Sequence, residues 1–184
     1  MAGCITEQEM KSIFKRFPDH SGIQTFVETG TFRAETISKM SPLFAHCHSI
    51  ELSRELYESA LERYSSTPIH FHWGDSVQVL KELIPTIAEP AIFFLDAHFC
   101  GRESGKGEVD VPLLEELQLI AARPYHDLLI IDDFRLFSTR SKEDWSGITV
   151  KNVLNCLSSK IPLWKRLIPR YPYSVANDRM IIPL

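Results

Sequence analysis

The stretch TFVETGTFR, residues 25–33, decides the fold of this chain. It predicts a buried strand through Phe26 and Val27, followed by a turn and a helix that begins near Arg33. Glu28 places a carboxylate at the end of the strand, and Gly30 permits a tight turn or the close approach of a ligand. Open α/β sheets bind nucleotide-like ligands at such strand-turn-helix units. A glycine-containing turn that binds nothing is the alternative.

Composition indicates one soluble globular domain over residues 1–184, with an N-terminal helix in residues 1–20 packed on it. Apolar residues make up 44% of the chain and charged residues 24%, which is ordinary for such a domain. The net charge of -4 favours neither nucleic acid nor an anionic membrane as a partner. We expect a cytoplasmic protein with reduced thiols, because the four cysteines are scattered and neither a signal peptide nor a membrane-spanning run is evident.

Strand and helix patterns alternate five times along the chain, and two extended runs follow between residues 164 and 184. This order predicts a mostly parallel seven-stranded sheet with helices on both faces and an antiparallel C-terminal strand pair. Thr6 and Glu9 form the pattern of a capping box before the first helix. The two terminal runs lie around Pro172 and Asn177-Asp178 and are expected to form a hairpin.

Acidic residues follow successive predicted strands, and parallel strands bring their carboxyl ends to one edge of a sheet. These acids are Glu28, Glu51, Asp75, Asp96, Asp132 and Asp133. Helix capping is an open alternative for Glu51 and Asp75. Three carboxylates from the strands ending at Asp96 and Asp132 would repel one another without a cation. Oxygen ligands of this kind suit Mg²⁺, Mn²⁺ or Ca²⁺ better than zinc.

Five motifs occur in the order and spacing of a known family. They are Glu28-Thr-Gly-Thr-Phe, Ser49-Ile-Glu51, Gly74-Asp75-Ser76, Leu95-Asp96-Ala-His98 and Ile130-Ile-Asp132-Asp133. Through these motifs, roughly residues 20–184 resemble the class I S-adenosylmethionine-dependent methyltransferases. Within that class, the chain resembles most the metal-dependent O-methyltransferases, which include macrocin and novobiocin tailoring enzymes. Phe32 and Ala34 depart from the family, which has further glycines in the first turn. The G-x-G-x-x-G dinucleotide fingerprint is absent, which argues against an NAD enzyme.

The resemblance implies a Rossmann-like fold and a methyl transfer from S-adenosylmethionine to a hydroxyl of a small molecule, with Mg²⁺ or another hard divalent cation orienting vicinal oxygens. It implies roles for eleven residues. Seven would bind the cofactor: Glu28, Thr29, Gly30, Thr31, Glu51, Asp75 and Ser76. Asp96, Asp132 and Asp133 would bind the metal, and Asp96 would also take part in catalysis with His98 as the base. A homodimer is one assembly that the resemblance suggests.

Other interpretations stay open at this point. A metal-free methyltransferase would use the aspartates to orient the acceptor, and a nucleotide-binding oxidoreductase or a non-catalytic cofactor-binding module belongs to a different class. Residues 101–110 are rich in glycine and charge, and are expected to form a lid over the site. Four histidines alternate along two strands and are interpreted as strand-face residues, since no third metal ligand is near them in sequence: His46, His48, His70 and His72.

Overall fold

A computed structural model describes residues 4–98, 111–140, 143–161 and 173–184. The expected lid at residues 101–110 and the start of the C-terminal extended runs, residues 164–172, lie outside the described residues. The strands are β1 (Thr25–Thr29), β2 (His46–Glu51), β3 (Ile69–Trp73), β4 (Ala91–Leu95), β5 (Leu128–Ile131), β6 (Ser174–Ala176) and β7 (Arg179–Pro183). The α-helices in these ranges are α1 (Glu7–Arg16), α2 (Glu35–Met40), α3 (Arg54–Arg63), α4 (Ser76–Leu83), α5 (Leu113–Ala121) and α6 (Val150–Cys156).

The strands form one sheet in the order β3-β2-β1-β4-β5-β7-β6. Strands β1 to β5 are parallel, and β7 runs antiparallel to both β5 and β6. The predicted fold class, with its antiparallel C-terminal pair, is confirmed. After β3 the chain crosses back to place β4 beside β1, so the strand order reverses between these two strands. Ligands of open α/β sheets bind at such a reversal.

The central strands are buried because helices cover both faces of the sheet. Phe26 and Phe94 pack under α1, α2 and α3, whereas Val27 and Phe93 pack under α4, α5 and α6. Every residue of β1, β4 and β5 is buried, and β4 and β5 have the continuous apolar runs expected of strands covered on both faces. No helix in the described ranges is long and apolar enough to cross a membrane.

The two ends of the chain meet beside the carboxyl end of β5. The capping box of α1 is present, and the same Glu9 side chain also accepts hydrogen bonds from Asn177 Nδ2 at 2.8 Å and Arg179 Nη1 at 2.9 Å. Asn177 and Asp178 both have positive φ angles, as the predicted hairpin turn requires. Asp178 accepts hydrogen bonds from the backbone N–H of residues 134 and 135, so the hairpin holds the segment that follows β5.

Candidate active site

The turn after β1 fits only glycine at residue 30. Gly30 has φ +84°, and a Cβ there would lie 2.5 Å from the carbonyl oxygen of Asp96. The Asp96 N–H in turn donates to the Thr29 carbonyl at 3.1 Å, so the ends of β1 and β4 are in direct contact. The N–H groups of Gly30 and Thr31 both donate to the Ile50 carbonyl, at 3.0 and 3.1 Å. The turn therefore lies at the reversal of strand order, with its backbone fixed from both sides.

The two residues that replace the family's glycines keep the backbone conformation that glycine favours. Phe32 and Ala34 have φ angles of +46° and +58°, and α2 begins only at Glu35. The helix therefore starts two residues later than the sequence predicted. A left-handed backbone costs an L-residue about 1–2 kcal/mol. Ala34 is fully buried, so packing holds its conformation, whereas the exposed Phe32 is held through the hydrogen bond of its N–H to Glu51.

Glu28 lies buried at the end of β1. Its Oε2 accepts a hydrogen bond from Ser49 Oγ at 2.6 Å, and the Ser49 hydroxyl is also 2.7 Å from that of Thr31. Burial raises the pKa of Glu28 well above its ordinary value, and the charges of Asp96 and Glu51 raise it further. A cationic ligand bound beside this carboxyl group would therefore stabilise its ionised form.

Glu51 ends β2 with both carboxylate oxygens oriented by backbone N–H groups. Oε2 accepts from Phe32 at 2.8 Å and Oε1 from Ser53 at 2.8 Å. Burial raises its pKa, while these backbone hydrogen bonds oppose the increase. The cap of α3 is Ser53, so Glu51 does not take that role. Each oxygen retains a lone pair for a further donor.

Asp75 acts as the N-cap of α4. Its Oδ1 accepts from the N–H groups of Val77 and Gln78, at 3.0 and 3.2 Å, and Ser76 begins the helix as a buried residue. The helix-cap alternative for Asp75 is therefore confirmed. The cofactor-binding roles of Asp75 and Ser76 stay predictions.

Three ligand-type side chains converge where β4 and β5 end. Atoms of Asp96, His98 and Asp133 lie within 4.8 Å of one another. His98 Nε2 is 2.8 Å from Asp133 Oδ2 and 3.5 Å from Asp96 Oδ1. Burial raises the pKa of Asp96, and His98 opposes this increase. For Asp133 burial acts in the same direction, but His98 and Arg135 outweigh it and lower the pKa.

Asp132 faces a different partner. Its Oδ1 accepts the Asp133 N–H at 2.9 Å and lies 3.4 Å from Nε of the buried Arg179, which also binds Glu9. Burial, with the charge of Asp96, raises the pKa of Asp132 to about 7, against the effect of Arg179. The structure therefore brings together Asp96, Asp133 and His98, and the ligand role of Asp132 stays a prediction.

Glu143 is a site residue that the sequence did not reveal. Its Oε2 lies 3.0 Å from His98 Nδ1 and accepts a hydrogen bond from Trp145 Nε1 at 2.8 Å. It belongs to a polar segment without a recognisable motif, so no local signal identifies it. This contact fixes the orientation of the His98 ring, whose other nitrogen faces Asp133.

Glu116 is a second residue that the sequence analysis missed. It is almost completely buried on α5, its Oε1 is without a hydrogen-bond partner among the described residues, and burial raises its pKa to about 7. It lines a cavity of about 10 Å³ together with Asp96, His98 and Trp145. The periodicity of α5 could have identified it, because Glu116 lies three residues after the inward-facing Leu113.

Comparison with known proteins identifies the fold. No family model matches the chain, and no curated protein matches it. The O-methyltransferase TomG from Streptomyces achromogenes, which is involved in tomaymycin synthesis and was solved with S-adenosylmethionine, is 17% identical, with a TM-score of 0.57 over 98% of this chain and 81% of TomG. A Staphylococcus aureus protein assigned as a caffeoyl-CoA O-methyltransferase is 14% identical, with a TM-score of 0.53 over 97% of this chain and 84% of that protein.

The strand order of the sheet and the similarity to these two structures indicate the same fold. The chain has the fold of the class I S-adenosylmethionine-dependent methyltransferases. A looser match is the 23S rRNA methyltransferase ErmE, 13% identical, with a TM-score of 0.43 over 66% of this chain. The chain spans 46% of the length of ErmE.

Proposed function

We propose that this protein transfers a methyl group from S-adenosylmethionine to a hydroxyl oxygen of a small molecule. One observation carries the proposal. The fitted turn at Gly30 and the group formed by Asp96, His98 and Asp133 lie side by side, at the reversal of strand order in a sheet with the methyltransferase arrangement. A methyl donor at the turn and an acceptor at the acidic group would therefore be neighbours.

The residues at the turn suit the cofactor. S-adenosylmethionine supplies the methyl group as a sulfonium cation and also carries an ammonium group and a ribose diol. Glu28 is a buried acid whose ionised form would be favoured by a cationic ligand. Glu51 is held by two backbone N–H groups, and its remaining lone pairs can accept both hydroxyls of a diol. Gly30 leaves the backbone open where any side chain would collide with β4.

The acids at the ends of β4 and β5 suit a hard divalent cation such as Mg²⁺. A cation held there would orient two vicinal acceptor oxygens and lower the pKa of the reacting hydroxyl. Imidazole is not a preferred ligand of Mg²⁺. We therefore assign Asp96 and Asp133 as ligands of the cation and His98 as the group that accepts the proton of the reacting hydroxyl. Asp132 is the third predicted ligand, and it would have to give up its contact with Arg179 in order to bind the same cation.

His98 has the surroundings of a general base. Glu143 contacts Nδ1, and Asp133 lies 2.8 Å from Nε2. A cation bound to Asp133 would release Nε2 from this contact, and Nε2 is the nitrogen that would then take the acceptor's proton. The imidazolium formed by that transfer would be stabilised by the carboxylate of Glu143. The same contacts allow a metal-free reaction, in which the aspartates only orient the acceptor and His98 relays the proton. This is the second candidate.

Calorimetry and a methylation screen test the proposal. We expect S-adenosylhomocysteine to bind and NAD not to bind, and binding of NAD alone would contradict the methyltransferase assignment. Catechols and vicinal-diol sugars are then screened for methylation with Mg²⁺ and with a chelator. Loss of turnover in Asp133→Asn and in the presence of chelator supports the cation, whereas chelator-resistant turnover that disappears in His98→Gln supports the metal-free reaction.

The role of Asp132 has its own test. Asp132→Asn keeps the shape of the side chain but removes its charge, and turnover is measured across a Mg²⁺ titration. A raised Mg²⁺ requirement supports a ligand role. Unchanged turnover and unchanged Mg²⁺ dependence would restrict Asp132 to its contact with Arg179.

A further inference from the structure

Four histidines share one face of β2 and β3 at the edge of the sheet, away from the acidic group. Alternate residues of a strand point to the same face, so each strand contributes two. The parallel register places His48 beside His70 and Ile50 beside His72. Two separate pairs in the sequence thus become a single patch that contains His46, His48, His70 and His72.

Within this patch, His48 contacts two other imidazoles. Its ring stacks with those of His70 and His72, at centroid distances of 5.2 and 5.3 Å. His48 Nδ1 lies 3.1 Å from His72 Nε2. Both side chains are half-buried, so water and small ions still reach them.

These two histidines have no acid among the groups that shift their pKa values. Burial, together with the charges of His72, His70 and His46, lowers the pKa of His48 to about 4. Burial and His70 also lower the pKa of His72. Both shifts favour the neutral imidazole, which is the form that binds metals.

The spacing of the two nitrogens matches two ligands of one ion. With Zn–N bonds of about 2.0–2.1 Å, cis nitrogens are about 2.9 Å apart at a right angle and about 3.4 Å apart at the tetrahedral angle. The observed 3.1 Å lies between these values. The two nitrogens share one proton in this contact, and that proton would pass to solvent when an ion binds both lone pairs from beside the line that joins the nitrogens.

We propose that His48 and His72 bind one borderline transition-metal ion, such as Zn²⁺, Cu²⁺ or Ni²⁺, with water molecules completing its coordination. Imidazole ligands select these ions over Mg²⁺, the ion proposed for the acidic group. The ion would join β2 to the edge strand β3. If it binds the folded chain more tightly than the unfolded chain, it would stabilise the fold by an amount that grows with the logarithm of the ratio of free ion to dissociation constant.

Metal titration of the untagged full chain tests this site. Calorimetry with Zn²⁺, Cu²⁺ and Ni²⁺ is performed on the wild type, on His48→Gln and His72→Gln, and on His126→Gln as a matched control at an exposed histidine elsewhere. We expect each patch variant to weaken metal binding at least about tenfold, because even mutation of a group that only supports a metal ligand lowers metal affinity by about that factor. We expect the control to bind normally. An ion at a hundredfold excess over its dissociation constant should also raise the unfolding temperature by about 5 °C or more in the wild type.

A double variant, Asp96→Asn with Asp133→Asn, separates this site from the acidic group and should retain transition-metal binding. The Cu²⁺ electron paramagnetic resonance spectrum should show coupling to at least two imidazole nitrogens, reduced in His72→Gln. This spectrum decides the matter if His48→Gln fails to fold. Unchanged binding in the patch variants, or binding lost only in the double aspartate variant, would overturn the proposal.

Discussion

Gly30→Ala tests whether the turn after β1 depends on contact with β4. The new methyl group would lie 2.5 Å from the Asp96 carbonyl oxygen and 2.9 Å from its carbon, and both are backbone atoms. The left-handed conformation adds about 1–2 kcal/mol, and overpacking adds about 1–3 kcal/mol. The free energy of unfolding should fall by roughly 2–5 kcal/mol, which lowers the melting temperature by about 5–20 °C in a chain of this length.

Urea unfolding followed by circular dichroism measures this loss, and calorimetry measures the affinity for S-adenosylhomocysteine in the same variant. Gly22→Ala is the matched control, because a Cβ at Gly22 meets nothing within 4 Å. The control should change stability by less than about 1 kcal/mol, and in the stabilising direction if the unfolded chain loses freedom. If Gly30→Ala unfolds like the control, the proposed contact between the turn and β4 does not constrain the fold.

Three further predictions concern buried charge and backbone strain. Arg179→Met leaves Asp132 without its cation and should cost about 3–5 kcal/mol, measured by urea unfolding; a loss below 1 kcal/mol would contradict a role for this pair in stability. Burial raises the pKa of Glu116 to about 7, so its contribution to stability is complete near pH 4 and is lost as pH rises through 7. The free energy of unfolding of Glu116→Gln should therefore depend less on pH between pH 5 and 8, and should exceed that of the wild type by roughly 3 kcal/mol at pH 8. Parallel pH curves for the two proteins would refute the assignment. Ala34→Gly should be within about 0.5 kcal/mol of the wild type in thermal unfolding, since relief of its positive φ offsets added unfolded-state freedom, whereas the helical control Ala60→Gly should lose at least about 1 kcal/mol.

The sequence was sufficient where a segment carries its own structural signal. The apolar runs at Ala91–Leu95 and Leu128–Ile131 gave strands with the bounds seen in the structure, because each run is flanked by polar residues and is covered on both faces. The hairpin at Asn177-Asp178 was confirmed for the same reason, since these residue types tolerate positive φ. Local chemistry alone determines such features.

Features that depend on distant partners could not be predicted in this way. Phe32 and Ala34 take a conformation that their own propensities oppose, because the surrounding fold imposes it. Asp132 faces Arg179, which lies 47 residues away in the chain, and Glu143 reaches His98 across 45 residues. Contacts of this kind follow from topology and register, which a list of motifs does not contain.

The shared anchoring of both chain ends has a consequence for how the protein is made. Asp178 holds the backbone of residues 134 and 135, next to Asp133, and Glu9 ties the same hairpin to the first helix. During synthesis from the N-terminus, the acidic group therefore cannot be fixed until the hairpin has emerged and docked. The proposed activity would then arise in one late step, and a fragment that ends before residue 178 should form much of the sheet and still lack methyl transfer.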